Sequence, residues 1–229
     1  MQREHEPIVL NDVPRGSAEW TRRIEAIQDY LIEADPPLER VFRESSVDWD
    51  EFVKTPFVAV VATIVGRVVR YQTARATRKR LYEHMGGVDF GPDEIESLLG
   101  DSRALQKIGL DENHIGSLTS LCRHVRHYGV PTKAADMRIL ANHVSGVGQW
   151  TTDSALLTCL LDIDVFPSAD KWIRRKMLLL DPAPEGGQHR RALSVQEVQQ
   201  RAKRWAPYKG IAVIHLWRWF DEAEKRANV

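Results

Sequence analysis

Two glycines flank a single valine at Gly146-Val147-Gly148, and helical spacing runs up to them from both sides. Before them, Ala135, Ile139, Leu140 and Val144 recur along one face of a run from Ala134 to His143. After them, Thr152 to Leu161 continues as an almost wholly apolar helix. The chain is thereby committed to a hairpin between two helices. Glycine at such a link permits positive φ and removes side chains that would block another backbone. The N–H groups of Gly146, Gly148 and Gln149 would then face outward at a helix N-terminus, where the macrodipole favours a phosphate. An ordinary tight turn between helices satisfies the same spacing, since G-x-G alone is a weak signal.

The rest of the chain reads as helix, which makes the fold class all-α. Ser17 can cap a helix running to about Glu33, with Trp20, Ile24, Ile27 and Leu31 inward, and Ala34-Asp35-Pro36-Pro37 ends it. Pro56 opens a long helical stretch from Phe57 to Met85, closed by Gly86-Gly87. Further helices are predicted over Pro92 to Leu99, Asn113 to His127, Asp170 to Leu179, Ser194 to Trp205 and Tyr208 to Lys225. Strand-like alternation is absent, with Ile163 to Phe166 at most briefly extended.

A chain of 229 residues can bury a sizeable core as one unit or two lobes. No apolar segment is long enough to span a membrane, and the N-terminus lacks a signal-peptide pattern. Cys122 and Cys159 are too few for a disulfide framework, a thiolate metal site or a four-cysteine iron–sulfur cluster. That usage points to a reducing compartment, most simply a bacterial cytoplasm. His114, His124, His127 and His143 lack the accompanying ligands of a zinc site.

Net charge is zero, from 32 basic and 32 acidic residues, so the distribution carries the information. Acidic residues gather early, at Glu33, Asp35, Glu39, Glu44, Asp48, Asp50 and Glu51. Basic residues form three runs, around Arg67 to Arg80, Lys171 to Lys176 and Arg190 to Lys209. Any one run reads as a solvated helix face. Three of them flanking the hairpin and the Asp170 segment favour a surface that contacts phosphates.

On these residues a resemblance can be stated. Val144 to Thr152 resembles the hairpin of the helix-hairpin-helix DNA glycosylase superfamily. Asp164-Val165-Phe166, with the run ending at Asp170, looks like its catalytic segment in the branch of bacterial alkyl-adenine (3-methyladenine) DNA glycosylases. Phe57 to Gly66, Lys107-Ile108-Gly109-Leu110, and Trp205 to Gly210 leading to Leu216-Trp217 follow in the family's order. The resemblance implies a two-lobed helical fold with DNA in the cleft between lobes. One lobe would be 56–162, carrying the hairpin, and the other 1–55 plus 163–229, carrying the catalytic aspartate.

The resemblance also implies roles. Asp170 would stabilise an oxocarbenium-like sugar and orient or deprotonate the attacking water. Read without the resemblance, Asp170 is a helix-capping carboxylate, or Ser168 is the cap with Asp170 in the first turn; Asp153 and Asp164 are its nearest rivals for catalysis. Bifunctional relatives carry a lysine where this chain has Trp150, so the implied enzyme is monofunctional and leaves an abasic site. Trp150 and Trp217 match aromatic positions of the base pocket. Ser154 departs from the branch, where another aromatic residue is common. A serine there would admit a larger or more polar base, such as a glucosylated pyrimidine of phage DNA, and so a defence role beside repair of alkylated purines. Val68 takes the place of the apolar wedge used in base flipping, and Arg67 replaces the family's usual glutamine. Lys171 and Arg174 would contact phosphates. The carbonyls of Asn142, Val144 and Val147 would hold a structural Na+ or K+ ion, with no other cofactor required. The implied partner is duplex DNA bearing a modified base, met by a monomer at the bacterial nucleoid. A DNA-binding protein that keeps the hairpin without catalysis is the reading from a different class.

Overall fold

The computed structural model describes residues 8–10, 12–52, 55–67, 71–181, 191 and 193–219. Among them are twelve α-helices and no strand, and no helix is long and apolar enough to cross a membrane. The chain divides into two compact units, Phe52–Leu161, and Met1–Glu51 together with Asp162–Val229. Phe52 and Thr55 thus go with the helices that follow them, rather than with the N-terminal segment as a division at 55/56 has it.

The continuous unit holds α3 (Pro56–Gly66), α4 (Tyr71–Met85), α5 (Pro92–Leu99), α6 (Ser102–Ile108), α7 (Glu112–Tyr128), α8 (Ala134–His143) and α9 (Gln149–Thr158). Thr55 caps α3 through its side chain and Pro56 opens it, after which every residue from Phe57 to Val65 is buried. Such a helix, apolar on all sides, belongs at a centre. It packs against α4, α7 and α9, and α9 is itself buried from Thr151 to Leu157. The single helix expected from Phe57 to Met85 is two helices. Gly66 ends α3, and Arg67 turns extended at φ −75° and ψ 154°. On α8 the inward face is Met137, Leu140 and Val144. Ile139, expected inward, is 48% exposed, because the stripe lies one position away from the one its spacing suggests.

The other unit is built from α1 (Ala18–Ala34), α2 (Leu38–Glu44), α10 (Lys171–Leu180), α11 (Val195–Ala202) and α12 (Lys209–Arg218), with 3-10 turns at Trp49–Glu51 and Lys203–Trp205. Ser17 Oγ accepts the Trp20 N–H at 3.1 Å, and Trp20, Ile24, Ile27 and Leu31 face inward as their spacing predicts. The helix expected over Ser194 to Trp205 tightens into a 3-10 turn after Ala202. The final helix is described to Arg218, and the stretch expected to extend it, 220–225, lies outside the described residues. Three of the acidic N-terminal residues are partners for the C-terminal segment. Asp35 binds Arg201 and Trp205, Glu44 accepts from Trp219 Nε1 at 2.9 Å, and Glu51 meets Arg218 at 2.6 Å.

Buried at the centre of this unit, His215 of α12 lies between Ser45 Oγ (2.8 Å from Nδ1) and Gln28 Nε2 (3.1 Å from Nε2). Burial pushes its pKa down to about 4, from 6.5 in an exposed imidazole. The unfolded chain therefore binds a proton that the folded chain refuses. Stability from this group is complete above pH 6.5 and drains away as pH falls toward 4. The loss amounts to roughly 3 kcal/mol. Urea unfolding at stepped pH should show this slope, and His215→Phe should flatten it. An unchanged slope would assign the acid sensitivity to other groups.

Candidate nucleic-acid interface and carboxylate site

The hairpin joins α8 to α9. Val144 closes α8 with its N–H on Leu140 O at 2.9 Å, and Val147 N–H donates to Val144 O at 3.0 Å. Both valines are buried, whereas Ser145, Gly146, Gly148 and Gln149 are exposed. Two apolar anchors thus hold a turn whose backbone faces outward. The N–H groups of Gly146, Gly148 and Gln149 meet no acceptor among the described residues, and the dipole of α9 adds partial positive charge there.

The two glycines do different work. Gly146 has φ +75°, a conformation that favours glycine. A Cβ there would also collide with Ser117 Oγ and lie 2.9 Å from Arg67 Nη1. Gly148 is ordinary extended backbone capping α9, at φ −107°, and a Cβ on it meets nothing within 4 Å. Only approach from outside the protein would benefit from its bare Cα.

Asp170 is the N-cap of α10. Its Oδ1 accepts the N–H groups of Trp172 at 2.7 Å and Ile173 at 3.2 Å. Its Oδ2 accepts the indole N–H of Trp217 at 3.3 Å. The carboxylate is 5% exposed. Three N–H donors and a helix N-terminus stabilise negative charge on it. The cap and the functional candidate are therefore one side chain. Both are served by a rigid lead-in, in which Phe166 meets the Trp205 ring edge-on at 5.9 Å, Gly210 N–H donates to Ile163 O at 2.7 Å, and Asp170 N–H returns to Pro167 O at 2.9 Å. Asp164 is paired with Lys209 at 3.1 Å, and Asp153 accepts from Gln149 Nε2 at 2.6 Å.

Asp170 and Trp217 are thus brought together in one unit, and Trp150, Ser154 and the hairpin belong to the other. Trp150 is half-buried on α9. Ser154, one turn on, is 4% exposed, and its hydroxyl finds no hydrogen-bond partner. Val68 lies outside the described residues. Arg67, expected at the DNA stack, instead turns its guanidinium onto the carbonyls of Gly146 and Asn113 and the hydroxyl of Ser117. Sequence reasoning missed Asn113, Ser117 and Ser120, which face the hairpin from α7. The three-residue spacing of the two serines along a helix was the available signal, whereas Asn113 takes part only through its backbone carbonyl and left none.

The basic runs are less of a surface than their sequence suggests. Lys171 and Arg175 are exposed, but Lys176 is 3% exposed and Arg174 Nε is bonded to Leu193 O at 2.8 Å. Arg201 is spent on Asp35 and Asp181, and Arg80 on Ile108 O. Among the described residues no group of three or more histidine, cysteine or carboxylate side chains can hold a metal. The three carbonyls expected to hold a monovalent ion are suitable in kind, and Val144 O already accepts one N–H. Yet the Arg67 guanidinium sits on Gly146 O, between Val144 and Val147 in the turn. A second cation close to that guanidinium would be repelled.

No protein-family model matches the chain, and no curated protein sequence is similar to it. Solved structures are. A 3-methyladenine DNA glycosylase of Schizosaccharomyces pombe, in complex with abasic DNA, aligns with a TM-score of 0.68 at 20% identity, over 85% of this chain and 95% of its own. The 3-methyladenine DNA glycosylase of Archaeoglobus fulgidus gives 0.62 at 15%, over 90% and 76%. A DNA-3-methyladenine glycosidase of Bacillus halodurans gives 0.57 at 21%, over 83% and 87%. The chain shares the all-helical fold of these solved structures.

Proposed function

We propose that this chain is a monofunctional DNA glycosylase that extrudes a modified base from duplex DNA and hydrolyses its N-glycosidic bond. The observation that carries the reading is the Asp170 carboxylate, buried at a helix N-cap and steadied by three N–H donors, in a fold shared with DNA glycosylases. The bond from C1′ to the base nitrogen breaks, with its electron pair leaving on the base. The negative carboxylate stabilises the positive sugar, and water attacks C1′ and passes its proton to that carboxylate. Oδ1 is committed to the cap, so Oδ2 is the oxygen for this work. Trp150 carries no amine, so no Schiff base forms at that position and the strand is left intact. The outward N–H groups of the hairpin bind a backbone phosphate, and Lys171 adds charge.

Alkylated purines are the substrate class we favour, in keeping with the 3-methyladenine enzymes that share the fold. A second reading has one observation behind it. The buried, unpartnered hydroxyl of Ser154 would be satisfied by a polar substituent on the base, as in hydroxymethylated or glucosylated pyrimidines of phage DNA. Release of bases from duplexes carrying alkylated purines, deaminated bases, or hydroxymethylated or glucosylated cytosine separates these. Release of alkylated purines supports repair, and release confined to bulky pyrimidines supports defence. No release with DNA binding retained would leave a binding protein.

A further inference from the structure

We propose that Arg67 is the internal cation of the hairpin, a positioning residue that holds its DNA-binding turn without any bound metal ion. The consequence for DNA rests on the reading above.

Arg67 follows α3, far in sequence from the turn it touches. Its Nη1 donates to Gly146 O, and its Nη2 donates to Asn113 O at 2.8 Å and to Ser117 Oγ at 2.8 Å. Ser117 in turn donates to Asn113 O at 2.9 Å, and Ser120 Oγ accepts the Ser145 N–H at 2.9 Å. One planar, permanently charged group thus ties three segments together, namely the end of α3, the first turns of α7 and the crest of the hairpin. The fit also explains Gly146. A side chain there would strike Ser117 and the guanidinium, so the glycine serves this latch as well as the positive φ.

A cation at this turn has two tasks. It must hold the crest carbonyl against α7, and it must add positive charge near the N–H groups that meet a phosphate. Arg67 does both by covalent tether, so its local concentration does not depend on the salt in solution.

The test uses the full chain and a duplex containing a tetrahydrofuran abasic analogue. Affinity is measured at one ionic strength in potassium, sodium or tetramethylammonium chloride. Wild-type affinity should agree within about twofold across the three salts. Arg67→Ala should bind about tenfold or more weakly in tetramethylammonium, recover in part when potassium or guanidinium ion is supplied, and melt near wild type. Arg67→Lys should fall between. Loss of wild-type affinity in tetramethylammonium would overturn the proposal, since a metal ion would then be holding the turn. So would wild-type binding by Arg67→Ala, or a loss that no cation restores. Amide hydrogen exchange at Ser145 to Gln149 in the free protein repeats the comparison without DNA. Should neither protein bind DNA, the functional reading falls, and the exchange rates still decide the role of Arg67.

Discussion

Asp170→Asn should lower single-turnover base release by about 10²–10³-fold, while the affinity for duplex DNA and the melting temperature stay near wild type. The two halves of this result have separate causes. Asparagine caps helices as well as aspartate does, so its Oδ1 can keep the N–H groups of Trp172 and Ile173. Its Nδ2 then faces the indole N–H of Trp217, donor against donor, at the place of a bond now 3.3 Å long. That mismatch costs about 1 kcal/mol, too little to unfold the unit. Removal of the negative charge takes away what would stabilise the sugar cation. Asp170→Ala makes a useful contrast, because it loses the cap as well and should melt about 2–4 °C lower. If Asp170→Asn releases bases at the wild-type rate, Asp170 is a cap and nothing more.

Arg201→Ala should lower stability by about 3–5 kcal/mol, or about 10 °C in melting temperature. Asp35 is 2% exposed and takes Arg201 bidentately, at 2.7 Å from Nε and 3.0 Å from Nη2. The same guanidinium reaches both oxygens of Asp181, at 3.0 and 2.9 Å. Burial works against its charge, but the two carboxylates outweigh that and raise its pKa above the usual value. Without Arg201, Asp35 keeps the Trp205 indole at 2.9 Å and the exposed Arg204 at 3.3 Å. Neither replaces a buried bidentate partner. Arg201→Lys should recover only part of the loss, since an ammonium cannot form the fork. Asp35→Leu with Arg201→Met should cost less than Arg201→Ala alone, because no charge is left stranded. Calorimetric melting of the variants checks the order, and a drop of less than 2 °C for Arg201→Ala would make the network ornamental.

Local chemistry explains which parts of this were legible in sequence. Ser17 and Asp170 each stand just before a helical run, and each caps a helix, whereas the Thr55 cap ahead of Pro56 was not read. The hairpin was legible because Gly146 needs a conformation that few residues adopt. By contrast, α2 and α6 span two turns each, too few for a period to emerge. Their marks were Pro37 before one, and Asp101 with Gly109 at φ +89° around the other. The break between α3 and α4 was hidden because hydrophobic spacing persists across Gly66. Charged residues were the least legible, because a run of arginines reads alike whether solvated or not. Arg67, Arg80, Arg174 and Arg201 all turn out to serve backbone carbonyls or buried carboxylates. The basis for that lay in partners 19 to 166 residues away.

One unit is a continuous stretch, whereas the other is assembled from both ends of the chain. Synthesis runs in one direction, so the helices bearing the hairpin emerge together and can pack while translation continues. Asp35, made early, must wait 166 residues for Arg201, and Ser45 waits 170 for His215. Trp217, which steadies the Asp170 carboxylate, comes later still. The unit that carries the hairpin is thus complete before the Asp170 carboxylate has its Trp217 partner. A nascent or prematurely ended chain would hold the first without the second, so the hairpin can be complete in a molecule whose carboxylate site is not.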